Sequence, residues 1–258
     1  MKKSIAMAAI AAPLLFGHTQ HAANADVTVS SHMTFTGPFV DQMQKQGKGN
    51  AFSQFSEMRT YASAKHFRID FGLTGMIVNL ETKKMLTLNN TAHTYTEADF
   101  DPLQSKDLMG RMFGTKSVYT NIVDTGKTTQ YMGHQVKHYT ADVAVTLTMP
   151  NLPPNMQNMT QTVDILAAQD MPAEDKEMLA TFSAMFGTPE KLKGLTLMMR
   201  STYTSGFMNG TVVNVNATAV STKPIDPAIF DIPTGFTKAE AKPAAPAPAP
   251  APAPAAGV

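Results

Sequence analysis

The chain of 258 residues carries 21 Lys and Arg against 20 Asp and Glu, 19 methionines, no cysteine and no tryptophan. Charge this balanced leaves no basic stripe to neutralise phosphates, so no nucleic-acid partner is expected. The lack of cysteine excludes disulfides, thiolate catalysis, thiolate metal sites and lipid attachment through an N-terminal cysteine.

The N-terminus reads as a targeting segment. Met1-Lys2-Lys3 is a short basic region, and Ile5 to Phe16 is apolar, too short to span a bilayer and broken by Pro13. Ala23-Asn24-Ala25 is a small-x-small cleavage signal, so residues 1–25 are expected to be a signal peptide and the mature chain to begin at Asp26. In a bacterium with two membranes, the expected location is the periplasm. No later apolar run is long enough for a transmembrane helix. Residues 26–238 read as one domain of ordinary size.

Val27 to Thr36 is strand-like, and the polar, glycine-containing "FVDQMQKQGKGN" (39–50) reads as a loop. Phe55 to Ala64 and His66 to Phe71 are strands. In the second, Phe67, Ile69 and Phe71 face one way and Arg68 and Asp70 the other. Met76 to Leu80 leads through "ETKK" to the hairpin "MLTLNNTAHTYTEADF" (85–100). There Leu86 and Leu88 share one side, and Asn89-Asn90 is expected to supply the left-handed backbone of the turn. Short strands this close together indicate an antiparallel meander.

A helix is expected at 102–113, where Leu108, Met109 and Met112 have helical spacing. Extended structure returns at Val118 to Asp124, Gln130 to Met132 and Gln135 to Thr148. "MPNLPPNMQNM" is a proline-rich break before a strand at Thr162 to Ala168. "DMPAEDKEMLATFSAMFG" (170–187) carries strong helix signals: Asp170 ahead of Pro172, acids in the first turn and Gly187 at the end. Met178, Phe182 and Met185 form its stripe, flanked by Leu179 and Phe186. Leu195 to Thr204 and Thr211 to Ser221 close the domain as a long strand pair. Residues 239–258 end in a Pro-Ala tract that cannot form a regular ladder. It reads either as a disordered tail without a partner or as a spacer docking to the cell wall or an envelope protein.

Few residues suggest chemistry. No G-x-S-x-G, H-E-x-x-H, S-x-x-K or phosphate loop is present, so no catalytic residue, cofactor or enzyme activity is expected. His134 and His138 share a strand face but stand roughly 13 Å apart at the usual rise, too far for one ion. Met156, Met159, Met198 and Met199 lack the histidine–methionine clustering of a copper(I) site. Abundant methionine either fills a core or makes an apolar surface adaptable to ligands of variable shape.

The order of the pieces is itself informative. "FRIDFGLTGMIVNLETKKMLTLNNTAHTYTEADF", "DTGKTTQYMGHQVKHYTADV", the acidic helix with "DMP", the long strand pair and "IDPAIFDIPTGF" follow one another. This resembles the secreted bacterial family catalogued as domain of unknown function 4412, and the broader superfamily of the periplasmic lipoprotein carriers LolA and LolB. Val136 stands where relatives often carry cysteine. The resemblance implies an α+β, mostly β fold: a strongly curved antiparallel sheet, an incomplete barrel, with a few helices on its concave side. It implies a carrier or chaperone for a lipid or another apolar ligand. The helix 173–186 would cover the cavity, and Met178, Leu179, Phe182, Met185, Phe186, Leu86 and Leu88 would line it. The alternative is a structural or interaction protein of the envelope, its cavity filled by side chains and its function carried by the Pro-Ala tail.

Overall fold

The computed structural model describes residues 26–53, 55–100, 115–147, 153–171, 189 and 191–239. Their strands are β1 (Val27–Thr36), β2 (Glu57–Ala62), β3 (His66–Phe71), β4 (Thr74–Asn79), β5 (Lys84–Asn89) and β6 (Thr94–Asp99). After these come β7 (Thr115–Tyr131), β8 (His134–Leu147), β9 (Asn158–Ala168), β10 (Leu195–Tyr203), β11 (Val212–Ser221) and β12 (Thr237–Lys238). They form one 12-stranded open sheet in the order β12-β6-β5-β4-β3-β2-β1-β11-β10-β9-β8-β7. Every neighbouring pair is antiparallel except β12 with β6, which is parallel. Register shifts in the β1–β11, β9–β10 and β7–β8 pairs add bend and twist, as bulges do. The expected curved, mostly β sheet is the fold the chain forms. The helices expected at 102–113 and 173–186 lie outside the described residues.

Two local expectations need correction. Residues 39–50 are not all loop, because Pro38–Lys45 is a helix, α1. Pro38 presets the first-turn backbone. Val40 is buried, and the Phe39 ring meets Phe207 edge-on at 5.1 Å, while Asp41, Gln42, Gln44 and Lys45 stay exposed. A single short apolar face anchors the turn, too little for a periodicity reading to register. In the hairpin, the left-handed residue is His93 (φ 48), not Asn89 or Asn90. Asn89 acts through its side chain: Oδ1 accepts from the Thr91 and Ala92 N–H groups at 3.1 and 2.9 Å. The β4–β5 turn is built the same way. Asn79 Oδ1 accepts from Glu81 and Thr82, and Lys83 is left-handed at φ 53.

Strand pairing fixes which side chains share a face. Val29, Thr60, Ile69 and Met76 form one cross-strand row, and Val27, Ala62, Phe67, Val78 and Met85 the next. β1 carries the same face onward through Met33 and Phe35. Met33 continues the row Tyr139, Ile165, Met199, Val215, and Phe35 continues Ala141, Val163, Ser201, Val213. One apolar face therefore runs from β5 to β8. The other face is mainly polar between β1 and β8, with rows such as Thr140, Asp164, Arg200, Asn214, Thr34.

The C-terminal segment alters this picture at β3 to β6. The 3-10 turn Pro227–Phe230 lies against β3: Phe230 stacks on His66 at 5.1 Å, and Arg68 Nη1 donates to the Ile229 carbonyl at 2.7 Å. His66 and Arg68 project from the face that also bears Ile77, Leu86 and Leu88. From there the chain must reach β12, outside β6. Four strand spacings are about 19 Å, and seven extended residues span about 23 Å. Residues 231–236 therefore cross β4 and β5 on that face. Phe236 arrives edge-on against His93 at 5.5 Å. β4 is consequently buried on both sides, with Met76, Ile77 and Val78 at 0%, 2% and 0% exposure.

Candidate functional site: an apolar, methionine-bearing sheet face

The apolar face is assembled by strand alternation. Met33, Met58, Met76, Met85, Met159 and Met199 all project from it, at positions where alternate residues of successive strands pair. Met171 and Met208 pack against it from outside the strands. Methionine has three rotatable bonds and a polarizable sulfur, so such a face conforms to more than one apolar shape.

Packing is uneven along the face. Around β3 and β4, Phe67, Met76 and Val78 are fully buried. Toward β7, Val143, Val163 and Ile165 form a second buried core, and Tyr119, Ile122, Met199, Tyr203, Phe207 and Met208 packed against it are only partly buried. There the face meets a cleft of about 410 Å³ bounded by Tyr119, Ile122, Pro189 and Lys191. Burial pushes the Tyr203 hydroxyl above its usual phenol range, and burial is also the main cause of the rise at Tyr139. Both phenols stay neutral and add aromatic area to the face. One polar acceptor stands among these side chains. Gln161 pairs with Val143 and Tyr203 across the strands, and its buried Oε1 has no hydrogen-bond donor among the described residues.

Of the residues expected to line a cavity, Leu86 and Leu88 are described. Both project from the face crossed by residues 231–236, opposite Met76 and Val78. Leu88 is fully buried there and Leu86 half-buried. Met178, Leu179, Phe182, Met185 and Phe186 lie outside the described residues. Sequence reading missed Met33, Met58, Met199 and Gln161, because strand alternation alone does not tell which face of distant strands is shared. Only register does.

The histidines take separate partners. His134 Nδ1 sits 3.0 Å from Asp170 Oδ1, and Asp170 Oδ2 also accepts from the Gln135 N–H. Burial raises the Asp170 carboxyl, but these two donors outweigh it and hold the group below the usual range. His138 stands between Asp164 and Thr125, each at 3.2 Å. Val136 is fully buried. Met198 and Met199 are neighbours that project to opposite faces.

No family model matches the chain, and no curated protein matches it. Solved structures with a similar outline include an uncharacterized conserved protein from Thermus thermophilus, at TM-score 0.39 and 5% identity over 83% of this chain and 89% of that one. Another is the Mycobacterium tuberculosis lipoprotein LppX, at TM-score 0.31 and 10% identity over 77% of this chain and 88% of that one. A third is the LolA superfamily protein NE2245 from Nitrosomonas europaea, at TM-score 0.26 and 6% identity over 80% of this chain and 90% of that one.

Proposed function

We propose that the protein is a non-catalytic, extracytoplasmic carrier that holds a lipid or another apolar ligand against the methionine-bearing face of its sheet. The observation that carries this reading is the continuity of that face and the partly buried side chains that rim its second core near the β7 cleft. A domain in water gains by covering such area, and a ligand sliding in from the β7 side would bury what Met199, Tyr203 and Met208 leave partly open. Gln161 Oε1 would accept one hydrogen bond from the ligand and fix its orientation, the usual role of a single polar group in an apolar site. The signal-like residues 1–25 support export to the periplasm. Among the described residues, no helix is long and apolar enough to cross a membrane.

The test uses a neutral apolar dye, N-phenyl-1-naphthylamine, added to protein stripped of lipid. Saturable fluorescence enhancement, displaced by phospholipid and weakened in Met199→Glu but not in Met198→Glu, supports the carrier. Absence of dye uptake, together with a lipid-free chain in native mass spectrometry of protein purified without detergent, overturns it. The structural envelope reading, carried by the Pro-Ala tail, would then stand.

A further inference from the structure

The polar face of the sheet holds a second cleft, of about 590 Å³, that the carrier reading does not use. Its floor is a patch of β9 and β10, where Leu166 and Met198 pair across the strands. Asp164 and Arg200 pair in the row alongside. His138 on β8 adjoins the floor, and Lys127, at the β7–β8 irregularity, forms the far wall. From Arg200 on β10 to Lys127 on β7 the cleft crosses about 14 Å, three strand spacings.

The electrostatics of this cleft are unusual for a sheet surface. Arg200 and Asp164 are direct cross-strand partners, close enough to pair. Asp164 instead turns to His138, with Oδ1 3.2 Å from Nε2, and His138 is held from its other side by Thr125. Among the described residues, the Arg200 guanidinium is left without an ion pair, beside two apolar side chains. Guanidinium groups next to apolar surface bind carboxylate or phosphate oxygens through paired N–H donors. A bare inorganic anion would leave Leu166 and Met198 uncovered, and a neutral apolar ligand would leave the guanidinium unused.

We infer that this cleft binds an amphiphilic anion, its carboxylate or phosphate on Arg200 and its alkyl part over Met198 and Leu166 toward Lys127. The volume lies within the range of small-ligand sites. The site is on the opposite side of the sheet from the proposed carrier face, so the two readings stand or fall separately.

Met198 and Met199 supply the test, because adjacent methyl groups report on opposite faces. The protein is labelled with methyl-13C methionine, and the two resonances are assigned with Met198→Leu and Met199→Leu. It is then titrated with dodecanoate, dodecanol and inorganic phosphate. Dodecanoate should shift the Met198 methyl, while any shift of Met199 reports the carrier face and is read separately. Arg200→Gln, an exposed change that should leave the melting temperature in place, should weaken dodecanoate about tenfold or more, the effect of losing a charge-assisted hydrogen bond. Dodecanol should bind more weakly and be indifferent to Arg200→Gln. The inference is overturned if dodecanoate leaves the Met198 methyl unmoved, if dodecanoate moves it equally in Arg200→Gln, or if phosphate alone matches dodecanoate.

Discussion

Leu88→Ala tests where the boundary lies between packed core and ligand surface. Leu88 is 0% exposed, pairs with Gly75 and Tyr95, and touches the position a Cβ on Gly75 would occupy, with Leu88 Cδ1 at 3.2 Å. Residues 231–236 cross above it. Truncating a leucine in such a place removes its transfer free energy and leaves a cavity, so the expected loss is about 2–5 kcal/mol. With a urea m-value of about 1–3 kcal/mol/M, a loss in the middle of that range moves the unfolding midpoint by about 1 M or more, at unchanged m. Leu86→Ala, in the same row system but half-buried, should cost clearly less. The cover can be tested in the same assay. Deleting 226–258 uncovers Leu88, so Leu88→Ala should cost less in the shortened chain, and the two changes should couple by about 1 kcal/mol or more. Strict additivity, or a Leu88→Ala cost below about 1 kcal/mol, would show that the C-terminal segment does not pack on this face and would return Leu88 to an open cavity.

Three further expectations rest on other parts of the fold. Gly37 has φ 114, and a Cβ there would lie 2.5 Å from the Gly210 carbonyl oxygen and 2.9 Å from Thr211 Cα. Gly37→Ala should therefore cost about 1–3 kcal/mol from backbone conformation alone, read by thermal unfolding. Glu97 is held below the usual carboxylate range first by its hydrogen bond to Lys238 and the Lys238 charge, then by Lys84. A carboxyl lowered in the folded state stabilises above its unfolded value and loses that contribution as pH falls through its folded value. Glu97→Gln should thus be less stable than the parent at neutral pH, and urea unfolding across acid pH should show the gap closing below about pH 4. Deleting 242–258 should leave the melting temperature unchanged, because the tract carries little apolar area to bury. A large drop would mean that the tail docks on the domain.

The local rules of the chain are plain in the sequence. The alternation of Phe67, Ile69 and Phe71 with Arg68 and Asp70 is the alternation of β3, and the bounds of β1 and β3 are those of their apolar–polar patterns. The consecutive Met76, Ile77 and Val78 break that alternation, as runs do in strands covered on both sides. A mostly β, antiparallel fold follows from the period-2 signals, because each is decided by residues two apart. Tertiary structure alone decided which faces meet. Whether Met33 lies with Met199 or with Met198 depends on the pairing of β1 with β11 and β11 with β10, and on the irregularities in those ladders. One residue of slip would have sent every partner to the other face. The same holds for Leu88, whose alternation with Thr87 says only that it has a side. What covers that side is a segment arriving from more than 130 residues further along the chain, between Ile225 and Phe236. Its path is set by the Phe230–His66 stack, the Arg68 hydrogen bond and the short parallel pairing with β6. Contacts between residues this distant in sequence leave no periodicity in either segment, which is why the candidate surfaces emerged only once the strands were in register.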